Sequence, residues 1–423
     1  MRLLVCVFAA FVAFAGASTA QAASGALYGI QDDAWLEHGP GTLESRLDEL
    51  DRLGVDVVRY TVRWDLIAKQ RPTDARDHTD IAYDWRTADS MLRGLRRHGI
   101  RPVITLFGTP RWANGGLAPN WAPTSPALFA DFSRAAATRY PWIRLWTIWN
   151  EPNKALWLRP TNAFTYVRKL LNPAYAQIRA AIPGARVGGG MTGPRAGAGG
   201  VSPVAWIKAM GVLRARLDAY AHHPYPGRPQ SETPWSPPCR SCTTIAMADL
   251  ERLVALVHRH LGRKRIWLTE YGYQTNPPDL YLGVSPEVQA RNVASASRRV
   301  HAASFVDMLI FFLVRDDLND DGWQSGFMTA DGTKKPAHAA FRFSLDRTSR
   351  RGGVVSLWGQ VKPRAGAQPY RLRILQGGRW SWLGGPRSTN RQGVFSVKVR
   401  LAPGSVVQLW SVRDRAASPS LRV

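Results

Sequence analysis

Residues 144–149 read Arg-Leu-Trp-Thr-Ile-Trp, and they lead directly into Asn150-Glu151-Pro152-Asn153. A short apolar run that stops at polar residues and a proline is typical of a buried strand. A second run of this kind, residues 265–269, ends at Glu270. A carboxylate directly after a buried strand is costly unless it is paired or functional. The two stretches therefore predict buried strands, each of which delivers a glutamate to the edge of a sheet.

Eight apolar runs of this type alternate with helical patterns or long loops. They cover residues 26–30, 55–60, 102–106, 144–149, 186–189, 217–221, 265–269 and 307–313. Repeated strand–helix units imply a parallel sheet, and eight of them predict an α/β chain with a (β/α)8 TIM barrel. The alternative is a doubly wound open sheet, which would favour a glycine-rich phosphate loop after the first strand. Gln31-Asp32-Asp33 follows that strand instead, and Gly188-Gly189-Gly190 is equally consistent with close packing.

The pattern changes at about Val354, where short runs mix apolar and polar residues between Gly, Pro, Asn and Ser. Several of these runs alternate in polarity, which predicts a small C-terminal antiparallel domain resembling a β-sandwich. We therefore expect a catalytic barrel over residues 23–346 and a basic β-domain over residues 354–423, with residues 347–353 as the linker.

Charge is distributed unevenly along the 423 residues, which carry 56 Lys and Arg, 31 Asp and Glu, and a net charge of +25. Hydrophobic residues make up 45%, a content that excludes disorder of the whole chain. Residues 351–423 hold thirteen Lys or Arg and one acid, Asp414, so about half of the net charge lies there. This charge could hold the protein near anionic wall or matrix polymers. Nucleic acid is not an expected partner, because the basic residues are scattered through a β-domain and no binding motif is present.

The first residues predict export. A positive Arg2, an apolar run and Ala20-Gln21-Ala22 form the pattern of a secretory signal over residues 1–22. A membrane anchor is the alternative, but the run is shorter than the ~20 residues of a spanning helix. We therefore expect a secreted protein without an integral membrane segment.

Two cysteines remain after the signal, which contains Cys6. Cys239 and Cys242 form a C-x-x-C pair, which could be a redox motif in a reducing compartment. Zinc would require a second pair at matching spacing, which the sequence lacks. For an exported chain we favour a local disulfide that fixes a loop.

Glu151 and Glu270 follow the fourth and seventh runs, so a barrel would bring both to the mouth where its strands end. Two carboxylates that flank a bond are what glycoside hydrolysis requires. One donates a proton to the leaving oxygen, and the other attacks the sugar or activates water. The separation of the carboxylates decides between retention and inversion of configuration, and sequence does not measure it.

The Asn-Glu-Pro at 150–152 and the Thr-Glu-Tyr-Gly at 269–272 resemble motifs of clan A retaining glycoside hydrolases, especially cellulase-like and family 39-like members. The resemblance covers about residues 26–345. Further matching positions are Arg59, Trp64, the loop 108–113 that contains Trp112, and His223-Pro224-Tyr225.

The resemblance implies a role for each of these positions. Glu151 would be the acid/base, Glu270 the nucleophile, and the mechanism a double displacement with retention. Asn150 would bind the sugar 2-hydroxyl, and Arg59 and Tyr225 would contact the nucleophile. Beside a cationic Arg59, Glu270 is expected to be ionised, and its charge favours a proton on Glu151. Substrates would be β-glycosides or α-L-arabinofuranosides, without a cofactor.

Histidines and tryptophans are further candidates for the site. His223 is a candidate to line the site and His222 a candidate structural residue. Trp112 and Trp323 are candidates to stack on sugar rings, as are Trp149 and Trp157, although core packing is the alternative for each. The sequence departs from the family pattern at strand eight, which ends in tryptophan in many members and carries Phe312 here. Trp323 could substitute for that tryptophan.

No metal site is expected. Residues 317–322, Asp-Leu-Asn-Asp-Asp-Gly, match the first half of a calcium loop, but the twelfth position is Met328 instead of glutamate. The favoured function is a secreted retaining glycoside hydrolase that acts on a polysaccharide or oligosaccharide. The alternative is a non-catalytic carbohydrate-binding or wall-associated protein on the same barrel.

Overall fold

Residues 25–362 and 366–423 are described in a computed structural model of the protein. The predicted signal, residues 1–22, lies outside them. Eight parallel strands close a barrel in which every strand pairs with its neighbours in the sequence and β1 pairs with β8. They are β1 Leu27–Gln31, β2 Val57–Arg63, β3 Arg101–Phe107, β4 Leu145–Ile148, β5 Arg186–Thr192, β6 Ala219–His222, β7 Arg265–Leu268 and β8 Val306–Phe312. The predicted TIM barrel is confirmed.

Helices surround the barrel. They are α1 Asp33–His38, α2 Leu43–Leu53, α3 Trp64–Ile67, α4 Arg86–Arg97, α5 Pro126–Arg139, α6 Ala163–Thr165, α7 Asn172–Ala181, α8 Pro203–Val212, α9 Leu250–Leu261, α10 Pro286–Ala302 and α11 Pro336–Arg342. Local sequence explains their ends. Thr42 accepts the Ser45 amide in a capping box at the start of α2, and Gly54 ends that helix at φ +75°. The buried face of α2 carries Leu47 and Leu50, which anchor the helix on the barrel.

Glycines of β5 allow large side chains to pack closely on both faces of that strand. A Cβ at Gly188 would lie 2.7 Å from Cε3 of Trp267, and one at Gly189 would lie 2.8 Å from Cδ2 of Leu171. Trp267 is fully buried inside the barrel with Met308 and other apolar residues. The glycine run of β5 is therefore explained by close packing.

The C-terminal residues form two antiparallel sheets that share one apolar core, so the predicted β-domain is confirmed as a sandwich. One sheet contains β9 Phe343–Arg351, β10 Val354–Val361 and β14 Val394–Arg400. The other contains β11 Pro369–Gln376, β12 Arg379–Trp382, β13 Arg387–Ser388, β15 Val406–Ser411, β16 Ala416–Ala417 and β17 Leu421–Arg422.

The segment expected to be a linker belongs to a strand of the β-domain, so that expectation was wrong. Residues 347–353 do not form a linker: most of them belong to β9, which pairs with β10 across a turn at Gly352 and Gly353. The outer residues of β9 are polar and exposed, so the strand has the composition of a loop. The β-domain therefore begins at Phe343, directly after α11.

Ion pairs attach the β-domain to the barrel. Nε of Arg298, on α10, lies 2.5 Å from Oδ2 of Asp346 on β9, and Arg342 lies 3.1 Å from Oδ1 of Asp414. These contacts place the β-domain against α10 and α11 of the barrel wall. Across the described ranges 25–362 and 366–423, no helix combines the length and apolarity needed to cross a bilayer.

Candidate active site

The carboxyl ends of the barrel strands surround a cleft of 1120 Å³. Its lining includes Arg59 from β2, Glu151 after β4, Tyr225 after β6 and Glu270 after β7. The parallel sheet delivers all four to one mouth because every strand ends on the same side of the barrel. His223, directly after β6, is fully buried beneath them.

Glu270 is held by three different donors. Its Oε1 forms an ion pair with the guanidinium of Arg59. Its Oε2 accepts a hydrogen bond from the Tyr225 hydroxyl at 3.3 Å and lies 3.3 Å from Nδ1 of His223. The carboxylate is therefore fixed and charge-balanced, with 11% of its side chain still exposed to the cleft. A fixed, ionised carboxylate at an open cleft is suited to nucleophilic attack.

Arg59 organises this side of the site from full burial. It donates from Nε to Oγ1 of Thr105 at 2.8 Å and from Nη2 to Oδ1 of Asn150 at 2.7 Å, and it also contacts Gln31. Asn150 thereby has its carbonyl oxygen fixed, which leaves its amide N–H groups to face the cleft that it lines. One arginine thus sets the orientation of both Glu270 and the neighbouring amide.

Glu151 occupies a backbone turn that few residues adopt. Trp149 and Glu151 have φ values of +69° and +35°, in the left-handed region. The turn directs the Glu151 carboxylate to Nδ1 of His223, at 3.1 Å from Oε1, and to Nζ of Lys154, at 2.6 Å from Oε2. A Cβ at Gly193 would lie 2.7 Å from Oε1 of Glu151. The absence of a side chain at Gly193 therefore creates the space that the carboxylate occupies.

His223 joins the two glutamates through one atom, since its Nδ1 lies 3.1 Å from Glu151 and 3.3 Å from Glu270. Burial lowers the pKa of His223 to about 3, against the attraction of Glu270 for a cation. The ring is therefore neutral near pH 7. We assign its proton to Nδ1, because that nitrogen faces two carboxylate acceptors. Its buried Nε2 has no hydrogen-bond partner among the residues that the structure describes.

One oxygen of each glutamate and a nitrogen of His223 lie within 4.8 Å of one another. Such a trio has the spacing to receive a cation. Arg59 and Lys154 already supply positive charge to the same two carboxylates, which disfavours an added metal ion. The arrangement is better suited to two carboxylates acting on opposite sides of one bond.

The predicted aromatic residues divide into two groups. Trp323 is 44% exposed at the cleft and lies against Tyr225 and Phe312, with ring centroids 5.5 Å away in each case. It thus lies beside Phe312, where the resemblance expects a tryptophan. Trp157 also lines the cleft.

Trp149 lies in the apolar core instead, and the half-buried Trp112 packs against that core. Nε1 of Trp112 donates to the Ala68 carbonyl at 2.7 Å, and its ring meets Trp64 edge-on at 5.6 Å. Trp149 is fully buried and donates to the Trp157 carbonyl at 2.7 Å. Neither contributes to the cleft lining.

His222 has both ring nitrogens in hydrogen bonds within the fold. Nδ1 lies 2.8 Å from Oγ1 of Thr192, and Nε2 lies 2.9 Å from the Ile245 carbonyl. The acceptor at Nε2 places the proton on that nitrogen, so Nδ1 accepts from Thr192. These contacts tie β6 to β5 and to the following loop, which is a structural role.

The polar groups of the acidic loop 317–322 form hydrogen bonds within the loop and with the residues next to it. Oδ2 of Asp317 accepts the Trp323 amide at 2.7 Å, and the Gly322 amide donates to the Asn319 carbonyl at 2.8 Å. The Met328 carbonyl accepts the Asp316 amide at 2.9 Å. The loop thereby supports Trp323 at the cleft.

Sequence reasoning missed Lys154 and Gly193. Lys154 follows Glu151 by three residues, a spacing that could have indicated an ion pair. Gly193 has no such signal, because it follows β5 whereas Glu151 follows β4. The two residues are distant in the sequence and meet only in the folded barrel.

Comparisons with known proteins agree with this fold. No protein-family model matches the chain, and no curated protein matches it. A solved glucosidase from Croceicoccus marinus has a TM-score of 0.59 at 14% identity, over 90% of this chain and 94% of that one. A family 39 glycoside hydrolase from Bacteroides cellulosilyticus WH2 has a TM-score of 0.60 at 16% identity, over 90% and 80%. A bifunctional glucanase-xylanase from a metagenome library has a TM-score of 0.50 at 13% identity, over 91% and 95%. The likeness to glycoside hydrolase barrels is confirmed for the fold.

Proposed function

We propose that this protein is a retaining glycoside hydrolase with Glu270 as nucleophile and Glu151 as acid/base. The observation that carries the proposal is the contact of one His223 nitrogen with both carboxylates, at 3.1 and 3.3 Å. This bridge holds a pair of carboxylate oxygens within 4.8 Å. Retaining enzymes separate their carboxyl groups by ~5–5.5 Å, whereas inverting enzymes leave ~6.5–9.5 Å for a water molecule. The short distance between the nearest oxygens of Glu151 and Glu270 is closer to the first range and therefore supports retention.

In the first step Glu270 attacks the anomeric carbon of the substrate. A bond forms between a carboxylate oxygen and that carbon while the bond to the leaving oxygen breaks, and Glu151 gives its proton to the leaving oxygen. Arg59 keeps Glu270 ionised before the attack, because a neighbouring cation favours the carboxylate form. The buried network of Arg59 requires little reorganisation as charge moves, which is how a preorganised site lowers a barrier.

In the second step water attacks the anomeric carbon, and the ester bond to Glu270 breaks. Glu151, now a carboxylate, takes the proton from the water. Lys154, at 2.6 Å from Glu151, favours this ionised form and therefore supports the second step. In the first step the same ion pair must open so that Glu151 can hold a proton. Lys154 lines the cleft with 28% of its side chain exposed, so water can solvate its ammonium group when the pair is open.

The proposal includes export of the protein. The signal pattern at residues 1–22 supports it, as does the pairing of Cys239 with Cys242. Carbonyls of both cysteines accept hydrogen bonds from Arg252, on α9, so the pair fixes the loop after β6 on the barrel wall. An oxidising compartment maintains such a bond.

The substrate is proposed to be a β-glycoside or an α-L-arabinofuranoside, as the resemblance implies. The neighbours named glucosidase and glucanase-xylanase make β-glucosides and β-xylosides the first compounds to test. The second candidate function, carbohydrate binding without cleavage, is disfavoured because Glu151, Glu270 and Arg59 form one connected charge network in the cleft.

The test uses aryl glycosides of these sugars with the wild type and with Glu270→Ala and Glu151→Ala. Glu270→Ala should lower kcat by about four orders of magnitude or more. Glu151→Ala should retain kcat/KM for substrates with activated leaving groups, because their departure needs no proton. Its kcat should fall because water has lost its general base, and azide, which needs no base, should restore kcat with a β-glycosyl azide as product. If the wild type bound these glycosides saturably but cleaved none of them, carbohydrate binding would be the function instead of hydrolysis.

A further inference from the structure

The outer face of the second β-domain sheet carries three tryptophans interleaved with two arginines. We call this set the Trp–Arg face: Arg371, Arg373, Trp380, Trp382 and Trp410. Strand register brings its members together, because Arg373 pairs with Trp382 on β12 and Arg371 pairs with Trp410 on β15. Leu372 and Leu409, which alternate with them, are buried in the core of the sandwich. Because successive side chains of a strand point to opposite faces, the sheet has an apolar inner face and this outer one.

The side chains of the Trp–Arg face are stacked. The guanidinium carbon of Arg371 lies 3.9 Å from the ring centre of Trp382. That of Arg373 lies 4.7 Å from Trp380 and 4.8 Å from Trp410, so it is held between two rings. Trp382 is 47% exposed. The stack is therefore an ordered surface of planar groups, and its arginines lose little further freedom when they bind a ligand.

Nothing acidic neutralises these arginines within residues 25–362 and 366–423. The only acid of residues 351–423 is Asp414, which pairs with Arg342 at 3.1 Å. Nε of Arg373 donates to Oε1 of Gln408 at 2.8 Å, and neither Arg371 nor Arg373 forms an ion pair with any residue that the structure describes. Nε of Arg371 is buried and Nε of Arg373 is bonded to Gln408, so the terminal Nη groups of the two guanidiniums are the donors open to a ligand. A planar set of such donors matches the two oxygens of a carboxylate.

We propose that the Trp–Arg face binds a carboxylate-bearing polysaccharide. The edges of Arg371 and Arg373 would bind carboxylates, and the exposed Trp382 ring would pack against the C–H face of a sugar. Nucleic acid is the weaker fit, because successive bases need a row of open aromatic faces, whereas Arg373 stacks on both Trp380 and Trp410 and leaves Trp382 as the one exposed ring of the face. This surface lies outside the cleft, so the inference does not depend on hydrolysis.

The test measures affinity of the full chain for polygalacturonate, with fully methyl-esterified polygalacturonate as the neutral polymer of the same backbone. The wild type should bind only the free acid, and added salt should weaken binding. Arg371→Gln with Arg373→Gln should weaken it about tenfold or more, because each substitution removes charge-assisted hydrogen bonds. Trp382→Ala should weaken it without changing the net charge.

The matched control is Arg391→Gln with Arg400→Gln, which removes the same charge from exposed positions outside the Trp–Arg face. It should change affinity less than about twofold, as expected for screened surface charges. Equal weakening by both pairs, binding of the methyl ester, tighter binding of duplex DNA or no binding by the wild type would each overturn the proposal. Unfolding curves and hydrolysis of a small aryl glycoside should be unchanged in all variants, which shows that they remain folded.

Discussion

Nζ of Lys154 lies 2.6 Å from Oε2 of Glu151, so the proposed acid/base is ion-paired in the free protein. The pair favours the ionised form of Glu151, which the second step requires. Lys154→Met should therefore slow that step: with an activated aryl substrate, kcat should fall about tenfold while kcat/KM changes little. Pre-steady-state bursts of the aryl product would show the accumulated intermediate. Lys69→Met, at an exposed lysine of the same cleft, is the control. An equal loss of kcat/KM in Lys154→Met would contradict this role.

Gly193 is predicted to be essential for the position of Glu151. A Cβ there would lie 2.5 Å from Cε of Lys154 and 2.7 Å from Oε1 of Glu151, so Gly193→Ala must displace both groups. A shift of about 1 Å in a catalytic group can cost about a hundredfold in rate. We expect a loss of kcat/KM of that size with little change in melting temperature. Gly184→Ala, whose Cβ would meet only the Arg144 tip at 3.4 Å, should retain wild-type activity. Full activity of Gly193→Ala would show that the carboxylate needs no such space.

Trp112 and Trp323 were both candidates for sugar stacking, and the structure separates them. Trp323 is 44% exposed at the cleft, whereas Trp112 packs on Trp64. Trp323→Ala should raise KM about tenfold, the loss expected for one aromatic contact, without affecting stability. Trp112→Ala should leave KM unchanged and lower the free energy of unfolding by about 2 kcal/mol or more. Steady-state kinetics and urea unfolding of both variants measure this, and the reverse pattern would assign Trp112 to the substrate.

His222 is predicted to make the protein acid-sensitive. Burial lowers the pKa of His222 to about 4, so between that pH and the unfolded value of 6.5 the unfolded chain binds more protons. The free energy of unfolding should therefore fall as pH drops through this window, by about 2 kcal/mol from this residue. His222→Gln should be less stable near neutrality but should show a smaller loss on acidification. Urea unfolding at about pH 7 and about pH 4.5 tests this. The same acid loss in both proteins would exclude His222 as its cause.

The barrel was predictable because each of its strands is buried and leaves a continuous apolar run, as in residues 144–149 and 265–269. Glu151 and Glu270 were identifiable because they follow such runs. The bridge through His223 was not, since it depends on the left-handed turn at Glu151, and backbone geometry of this kind has no composition signal. Strand β9 was missed because its outer face is polar and exposed, so its sequence resembles a linker.

The proposed double displacement requires Glu270 to form a covalent bond with the sugar. The most direct test treats the protein with 2-deoxy-2-fluoro-β-glycosyl fluorides of glucose and xylose, which slow breakdown of the intermediate more than its formation. We expect a mass increase of one fluorosugar, located by peptide mapping on Glu270, and no increase in Glu270→Ala. A label on another residue, or turnover of a good substrate with inversion at the anomeric carbon, would contradict it.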